Sequence, residues 1–253
     1  MERQDRAEIL DGDEISDDQA MRAYKQLARI HGLIGDTALV VRAIRRNALP
    51  VSRILDLGCA AGHVAEEVQR KLGVEVIGVD VNPRHAAEVR IPILRADAVH
   101  NPLPTADVAF SMHLAHHLTE SDLTNLIRNV GRYCRRLILL DVVRHPLPLA
   151  LFRLFVEPFA SKIVVEDGKT SFSRSYTAAE LRQITAGALA GSAAKFQQSV
   201  GPFFMRQVID ISYKSDGSWP DRDVPSNERY GPETLAAIPS ASSLEPAHSR
   251  TTE

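Results

Sequence analysis

Two acidic residues, Asp56 and Asp80, have the types and spacing that point most directly to chemistry in this chain. Asp56 sits inside a short apolar run, Arg53-Ile-Leu-Asp-Leu57, which breaks into the turn Gly58-Cys-Ala-Ala-Gly62 and then into an amphipathic run carrying Val64, Ala65, Val68 and Leu72. That order reads as strand, tight loop and helix, an arrangement that presents backbone N–H and C=O groups to a small ligand. Asp80 closes a second apolar run, Val74-Glu-Val-Ile-Gly-Val-Asp80. In a doubly wound sheet ligands bind beyond the carboxyl ends of the strands, so the two acids face one crevice. A pyrophosphate seated on a helix N-terminus requires a G-x-G-x-x-G turn, whereas here Ala60 takes the second glycine position and His63 the third. An acid inside the first strand would also repel phosphate. Asp56 suits a ligand with a cationic amino group and no phosphate, and Asp80 is placed to accept hydrogen bonds from ribose hydroxyls.

The elements that must position these acids follow from periodicity. From residue 51 the chain alternates apolar strands, near 53–58, 74–80, 92–97, 106–112 and 136–143, with helical patterns near 64–72, 83–89, 121–133 and 147–159. Such alternation predicts an α/β fold with a parallel sheet, right-handed crossovers and helices on both faces. Pro102-Leu-Pro104 replaces one helix by an irregular link. Ile163-Val-Val-Glu-Asp-Gly-Lys169 reads as a short hairpin or loop, and Thr177-Ala-Ala-Glu180 opens a helix with a capping box. Phe196–Val200 and Met205–Tyr213 are two further β-rich runs on either side of Gly201-Pro202. Upstream, residues 16–48 carry two helical patterns separated by Gly32 and Gly35, the first opened by the capping box Ser16-Asp-Asp-Gln19 and the second capped by Asp36. This pair is expected to lie over the crevice as a lid, with a stabilising helical hairpin on a sheet edge as the alternative. The organisation is thus an N-terminal helical cap over residues 1–50, a ligand-binding core over 51–213, and a Pro- and Ser-rich tail over 214–253 that reads as disordered.

S-adenosylmethionine (SAM) fits the ligand described by Asp56 and Asp80. At these residues the chain resembles the Rossmann-like (class I) SAM-dependent methyltransferases, whose first motif reads acid-x-Gly-x-Gly-x-Gly. Asp56-Leu-Gly58-Cys-Ala60-Ala-Gly62 matches that motif except at Ala60. The pattern continues through Asp80-Val-Asn-Pro83, Ala96-Asp-Ala98, residues 107–118 and residues 136–143. The resemblance implies a Rossmann-like seven-stranded sheet, mostly parallel with the last strand antiparallel, helices on both faces and an N-terminal helical lid. It also implies SAM as cofactor, S-adenosylhomocysteine (SAH) as product, and cofactor contacts from Asp56, Gly58, Cys59, Ala60, Gly62, Asp80, Val81, Asp97, Ala98, Ser111 and His113. The departure at position 60 has a physical meaning: a methyl group restricts positive φ and narrows the approach of the backbone to a ligand, so alanine is at ease there only at negative φ.

A sulfonium already activates its methyl group, so the protein must align a nucleophile and make it electron-rich. Candidate bases are His116 and His117, just past the fourth strand, and His145, past the fifth, because histidine titrates near neutrality. Each has a structural alternative as a helix cap or a packed side chain. Arg144 is a candidate to hold a phenolate or carboxylate. Arg174 and Tyr176 are candidates for an apolar substrate pocket to which Phe152, Phe155, Phe159 and Phe172 would contribute. No metal is expected, since catechol-type enzymes gather several oxygen ligands around magnesium and no acid immediately follows the fourth strand here. Residues 27–35, Leu114-Ala-His-His-Leu118 and residues 171–181 are similar to small bacterial methyltransferases of polyketide- and quinone-type metabolism, a resemblance spanning roughly residues 5–213. It implies secondary metabolism and the hydroxyl of a small aromatic or polyketide-like metabolite as acceptor. C-methylation of an activated aromatic carbon, or a SAM-fold binding module or cyclase without methyl transfer, are the alternatives.

Bulk properties agree with a small-molecule enzyme. The 253 residues are 44% hydrophobic and 25% charged, with a formal net charge of -2 that supplies no global attraction to nucleic acid or an anionic membrane. The two cysteines, Cys59 and Cys134, have neither metal-ligand spacing nor an obvious disulfide partner, which points to a reducing compartment. The charged N-terminus lacks a secretory pattern, and no apolar run reaches the ~18 residues of a membrane span. A cytoplasmic location is therefore expected, with no nucleic-acid partner; a homodimer is left open.

Overall fold

In the computed structural model, which describes residues 1–12, 15–46, 50–83 and 89–213, seven strands form one sheet. They are β1 (Arg53–Leu57), β2 (Glu75–Asp80), β3 (Ile93–Arg95), β4 (Ala106–Met112), β5 (Cys134–Asp141), β6 (Lys195–Val200) and β7 (Gln207–Ser212). Their spatial order is β3-β2-β1-β4-β5-β7-β6, with β1 to β5 pairing in parallel and β7 antiparallel to both β5 and β6. The order reverses between β1 and β4, and a ligand crevice belongs at the carboxyl ends of the strands at such a switch point. Strand alternation sends Leu55, Leu57, Ala109, Leu137 and Leu139 into the core on one face and Ile54, Val76, Val108, Phe110 and Ile138 into the core on the other. Both faces are covered, which is why these strands read as near-continuous apolar runs. Asp56 lies opposite Gly78 of β2 and Phe110 of β4, one residue short of the end of β1.

Helices α1 (Asp17–Ile34) and α2 (Asp36–Arg45) form the N-terminal pair. The Ser16/Gln19 capping box opens α1 as expected, but Gly32 is inside that helix, and only Gly35, at φ 82°, makes the break. Asp36 does not cap α2: Gly35 holds the cap position, and the Asp36 side chain is buried. The remaining helices are α3 (His63–Leu72), α4 (Glu120–Val130), α5 (Pro146–Phe155), α6 (Lys162–Arg174) and α7 (Ala178–Ala188), the last opened by the Thr177/Glu180 capping box. A helix read over 83–89 and the tail over 214–253 fall largely or wholly outside the described residues. Among the described residues no helix is long and apolar enough to cross a membrane.

The segment read as a hairpin, residues 163–169, is instead the first half of α6. Its β-branched Ile163-Val-Val and its glycine argue locally for strand and turn, yet Val164, Val165 and Phe172 find burial along one helix, and that burial outweighs a propensity difference of less than ~1 kcal/mol per residue. Gly168 is required by packing rather than by a turn. A Cβ at that position would lie 2.4 Å from Phe152 Cζ of α5, so the two helices meet through the missing side chain. Leu10, Ala20, Ala23 and Val164 form one buried apolar cluster, tying α1 and the N-terminal segment to α6. Gly168→Ala gains about 1 kcal/mol of helix propensity but forces Phe152 aside, for which overpacking costs are typically ~1–3 kcal/mol. We expect a lower denaturant midpoint for Gly168→Ala, partly restored by adding Phe152→Leu; an unchanged midpoint would contradict this packing.

Candidate functional site

The floor of the site is built where β1 and β2 end. Gly58, at φ 74°, and Cys59 donate their amides to the Val79 carbonyl, at 2.8 and 3.3 Å, which bends the chain sharply after β1. A Cβ on Gly58 would lie 2.9 Å from Leu114 Cδ1, so a side chain would close the space between this loop and the segment after β4. Ala60 adopts φ 48°, the left-handed conformation that disfavours a side chain by roughly 1–2 kcal/mol. Asp80 holds it there: Oδ2 accepts the Ala60 N–H at 2.8 Å while Oδ1 accepts the Asn82 N–H at 2.8 Å. Each oxygen retains a further lone pair for a ligand hydroxyl.

Asp56 is buried, at 2% exposure, and makes no hydrogen bond or ion pair with the described residues. Burial, reinforced by the nearby charge of Asp80, pushes its carboxyl well above the ordinary range. The floor therefore contains an acid that lacks a cation.

The opposite wall is a chain of histidines and carboxylates organised by Asp141, the last residue of β5, at 3% exposure. Its Oδ2 accepts the backbone N–H of His116 at 2.8 Å, and its Oδ1 accepts His116 Nδ1–H and the Val142 N–H, each at 2.7 Å. His116 Nε2 faces Glu8 Oε1 at 3.2 Å. His113, itself at φ 60°, places Nδ1 3.7 Å from Asp141 Oδ1 and Nε2 3.1 Å from Asp36 Oδ2. That Asp36 oxygen also accepts His31 Nδ1–H at 3.0 Å, the His31 and His113 rings stack at 4.4 Å, and Arg206 pairs with the other Asp36 oxygen. His117 Nδ1–H lies 3.0 Å from Asp11 Oδ2, which also takes Arg174 Nη1 at 3.2 Å.

The protonation pattern follows from this arrangement. Burial opposes charge on His116, but Asp141 and Glu8 overcome it and push the imidazole up to about 10. Against the same burial, Asp141 and Asp36 push His113 up to about 9. Asp141 and Asp36, despite burial, are held well below the carboxylate range by these histidines. His31 goes the other way: burial and the neighbouring His113 charge lower it below 6.5, against the pull of Asp36.

Floor and wall bound one cavity of about 720 Å3. Of the residues singled out in the sequence, Asp56, Gly58, Cys59, Ala60, Asp80, Val81, Asp97, Ala98, His113, His116, His117 and Arg174 line it. Others are elsewhere. Gly62 is the backbone corner before α3, packed on Ile93 and Val89, and Ser111 is buried within β4. His145 caps α5, accepting the Leu147 N–H at 3.2 Å, and stacks on Phe204. Arg144 is committed to Glu180 Oε1 at 2.6 Å and to the carbonyls of Ser175 and Met1. The Tyr176 hydroxyl donates to the Leu118 carbonyl at 2.8 Å, with Arg3 over its ring. Phe152 and Phe172 line the cavity, whereas Phe155 and Phe159 are exposed at the surface.

Sequence reasoning missed Glu8, Asp11, His31 and Asp36, all of which line the cavity from the N-terminal region. The one available signal was polarity on an otherwise apolar face: His31 lies four residues from Leu27 and seven from Tyr24, both of which also line the cavity.

Comparison with known proteins places this geometry. Residues 54–136 match a family model described as a methyltransferase domain. No curated protein matches the chain. Among solved structures, the plantazolicin methyltransferase BpumL in complex with SAH is similar with a TM-score of 0.61 at 11% identity, over 81% of this chain and 93% of that one. The small RNA methyltransferase HEN1 is similar with a TM-score of 0.55 at 16% identity, over 73% of this chain and 26% of that one. At these identities the likeness is one of fold. The histidine wall can be checked directly by NMR titration of chelator-treated protein. His116 should remain protonated until about pH 10 and His31 should titrate below 6.5. Asp141→Asn should return His116 towards the ordinary value, and a His116 that titrates normally in the unmodified protein would contradict the network.

Proposed function

We propose that this chain, a Rossmann-like SAM-dependent methyltransferase, methylates a hydroxyl of a small aromatic or polyketide-like metabolite, with His31 as the base. The observation that carries the reading is the continuity of one cavity from the two-carboxylate floor to the histidine wall, with Tyr24, Leu27, Phe152 and Phe172 supplying apolar surface between them. An apolar chamber with a few convergent polar groups suits a largely hydrophobic acceptor. The floor fits the cofactor: Asp56 offers an unpaired carboxylate to the ammonium, Asp80 has lone pairs left for the ribose hydroxyls, and Gly58 keeps open a space that a Cβ would fill. In this reading Val81, Asp97 and Ala98, which also line the cavity, take the adenosine side of the cofactor. When bound, SAM supplies a methyl group activated by its sulfonium.

The residues of the chain have to orient the acceptor and take its proton. His116 is unsuited to that role in the metal-free protein, because it already holds a proton at neutral pH. His31 is suited. Its lowered affinity for protons favours the neutral ring, and a neutral ring that donates Nδ1–H to Asp36 has a lone pair on Nε2. Asp36 then stabilises the imidazolium that forms, as a carboxylate behind a catalytic imidazole does. Both cysteines are free thiols, a state that a reducing compartment maintains and that supports a cytoplasmic location.

A base of this kind contributes about 10²–10⁴-fold to rate. His31→Gln should lower kcat by that range near neutral pH without changing SAM affinity. In the unmodified enzyme the acidic limb of kcat/KM should fall below pH 6.5, because a lowered pKa extends the neutral form to lower pH. These rates are to be measured with hydroxylated aromatic acceptors, with mass spectrometry locating the methyl group on oxygen. Unchanged kcat in His31→Gln would remove the base, and failure to methylate any such acceptor would overturn the reading.

A further inference from the structure

We propose that Glu8, His116 and His117 form a binding site for a divalent transition-metal ion of the zinc type at the acceptor end of the cavity. The three side chains come from distant parts of the sequence, yet their donor atoms all lie within 4.8 Å of one another. His116 Nε2 is 3.2 Å from Glu8 Oε1, and His117 Nε2 is 3.8 Å from Glu8 Oε2. Ligand atoms about 2.0–2.2 Å from a tetrahedral zinc are roughly 3.3 Å from each other, so the spacing needs only small rotamer adjustments to close on an ion.

The outer contacts point the same way. A histidine that ligates a metal through one ring nitrogen characteristically donates the other N–H to a carboxylate. Both histidines do so here: His116 Nδ1–H to Asp141 at 2.7 Å and His117 Nδ1–H to Asp11 at 3.0 Å. Both Nε2 atoms are thereby turned towards Glu8, whose own carboxylate is steadied by Ser171 Oγ at 2.7 Å. Glu8, Asp11 and Asp141 crowd negative charge into this corner, and Arg174 reaches only Asp11.

Two imidazoles and one carboxylate are a ligand set suited to zinc-type ions, and three protein ligands leave a coordination position for water or substrate. All three residues line the cavity, so that position opens onto the acceptor space. An acceptor hydroxyl coordinated there would lose its proton more readily, to His31, before its oxygen takes the methyl group; this role rests on the proposed function, while the binding itself does not. The second histidine cluster, His31–Asp36–His113, is less suited. Its rings are stacked nearly parallel, 24° apart, and Asp36 is already paired with Arg206.

The test uses the full chain, stripped with chelator and dialysed, titrated with Co²⁺ by visible absorption and with Zn²⁺ by calorimetry. One ion per chain is expected, with Zn²⁺ displacing Co²⁺. Glu8→Gln and His117→Ala should each weaken binding by at least 100-fold, and Asp11→Asn by about 10–100-fold, the range for outer-contact losses. SAM titration of the same metal-free proteins serves as the folding check and separates the two proposals. No stoichiometric ion, or an ion bound equally well by Glu8→Gln and His117→Ala while SAM still binds, overturns the metal site alone. Tight metal binding lost in those variants supports the site even if the chain methylates no hydroxyl acceptor.

Discussion

A carboxylate removed from water must find positive charge or hydrogen-bond donors, or else keep its proton, and the whole site follows from how that demand is met. Asp141 meets it with His116 and the neighbouring amides, and Asp36 meets it with His31, His113 and Arg206. Asp167 takes the amides of Ile9 and Leu10 but no cation, and is pushed up to about 6 by burial. Among the buried carboxylates of the described residues, Asp56 alone has neither a cation nor a donated hydrogen bond. Under the proposed function, the missing charge is the one that the ammonium of a sulfonium cofactor would supply.

The same demand explains why the N-terminal segment belongs to the site. Glu8 and Asp11 are held against His116, His117 and Arg174, while Arg3 donates to the carbonyls of His116, Leu118 and Arg174. Breaking one member of a buried charge pair commonly costs 3–5 kcal/mol, because the other is left uncompensated. The histidine wall and the segment that covers it are therefore coupled. The sheet supplies the fixed frame for this coupling, since β1, β2, β4 and β5 all end at the same edge of the cavity.

Legibility in the sequence tracked the range of the interactions. The five parallel strands, the two capping boxes and the closing pair of strands were readable because each is specified by a near-continuous apolar run, by alternation or by residues three apart. The two acids of the floor were readable because they sit at the ends of apolar strands. Residues 163–169 were misread because local propensity favours strand, while the deciding contacts, with Phe152 and the N-terminal segment, come from elsewhere. Glu8, Asp11, His31 and Asp36 were missed for the same reason: their partners are 5 to 170 residues away. Arg144 and His145 looked functional because they are polar residues past a strand end, and Tyr176 because it stands beside Arg174 among aromatic residues, but each satisfies a backbone or helix-end requirement of the fold.

The claim at the centre is that Asp56 waits for a cation. It is tested most directly by calorimetric titration of SAM into the unmodified protein and Asp56→Asn, each in two buffers of different ionisation enthalpy. Because burial raises the proton affinity of Asp56 in the free protein and an ammonium beside it lowers that affinity, SAM binding should release protons, and tighten as pH rises, over the range in which the free acid still titrates. In Asp56→Asn the Asp56-dependent proton release should vanish, and affinity should fall roughly 10- to 100-fold, the loss of one charge-assisted hydrogen bond. Equal affinity and equal proton release in the two proteins would contradict the account.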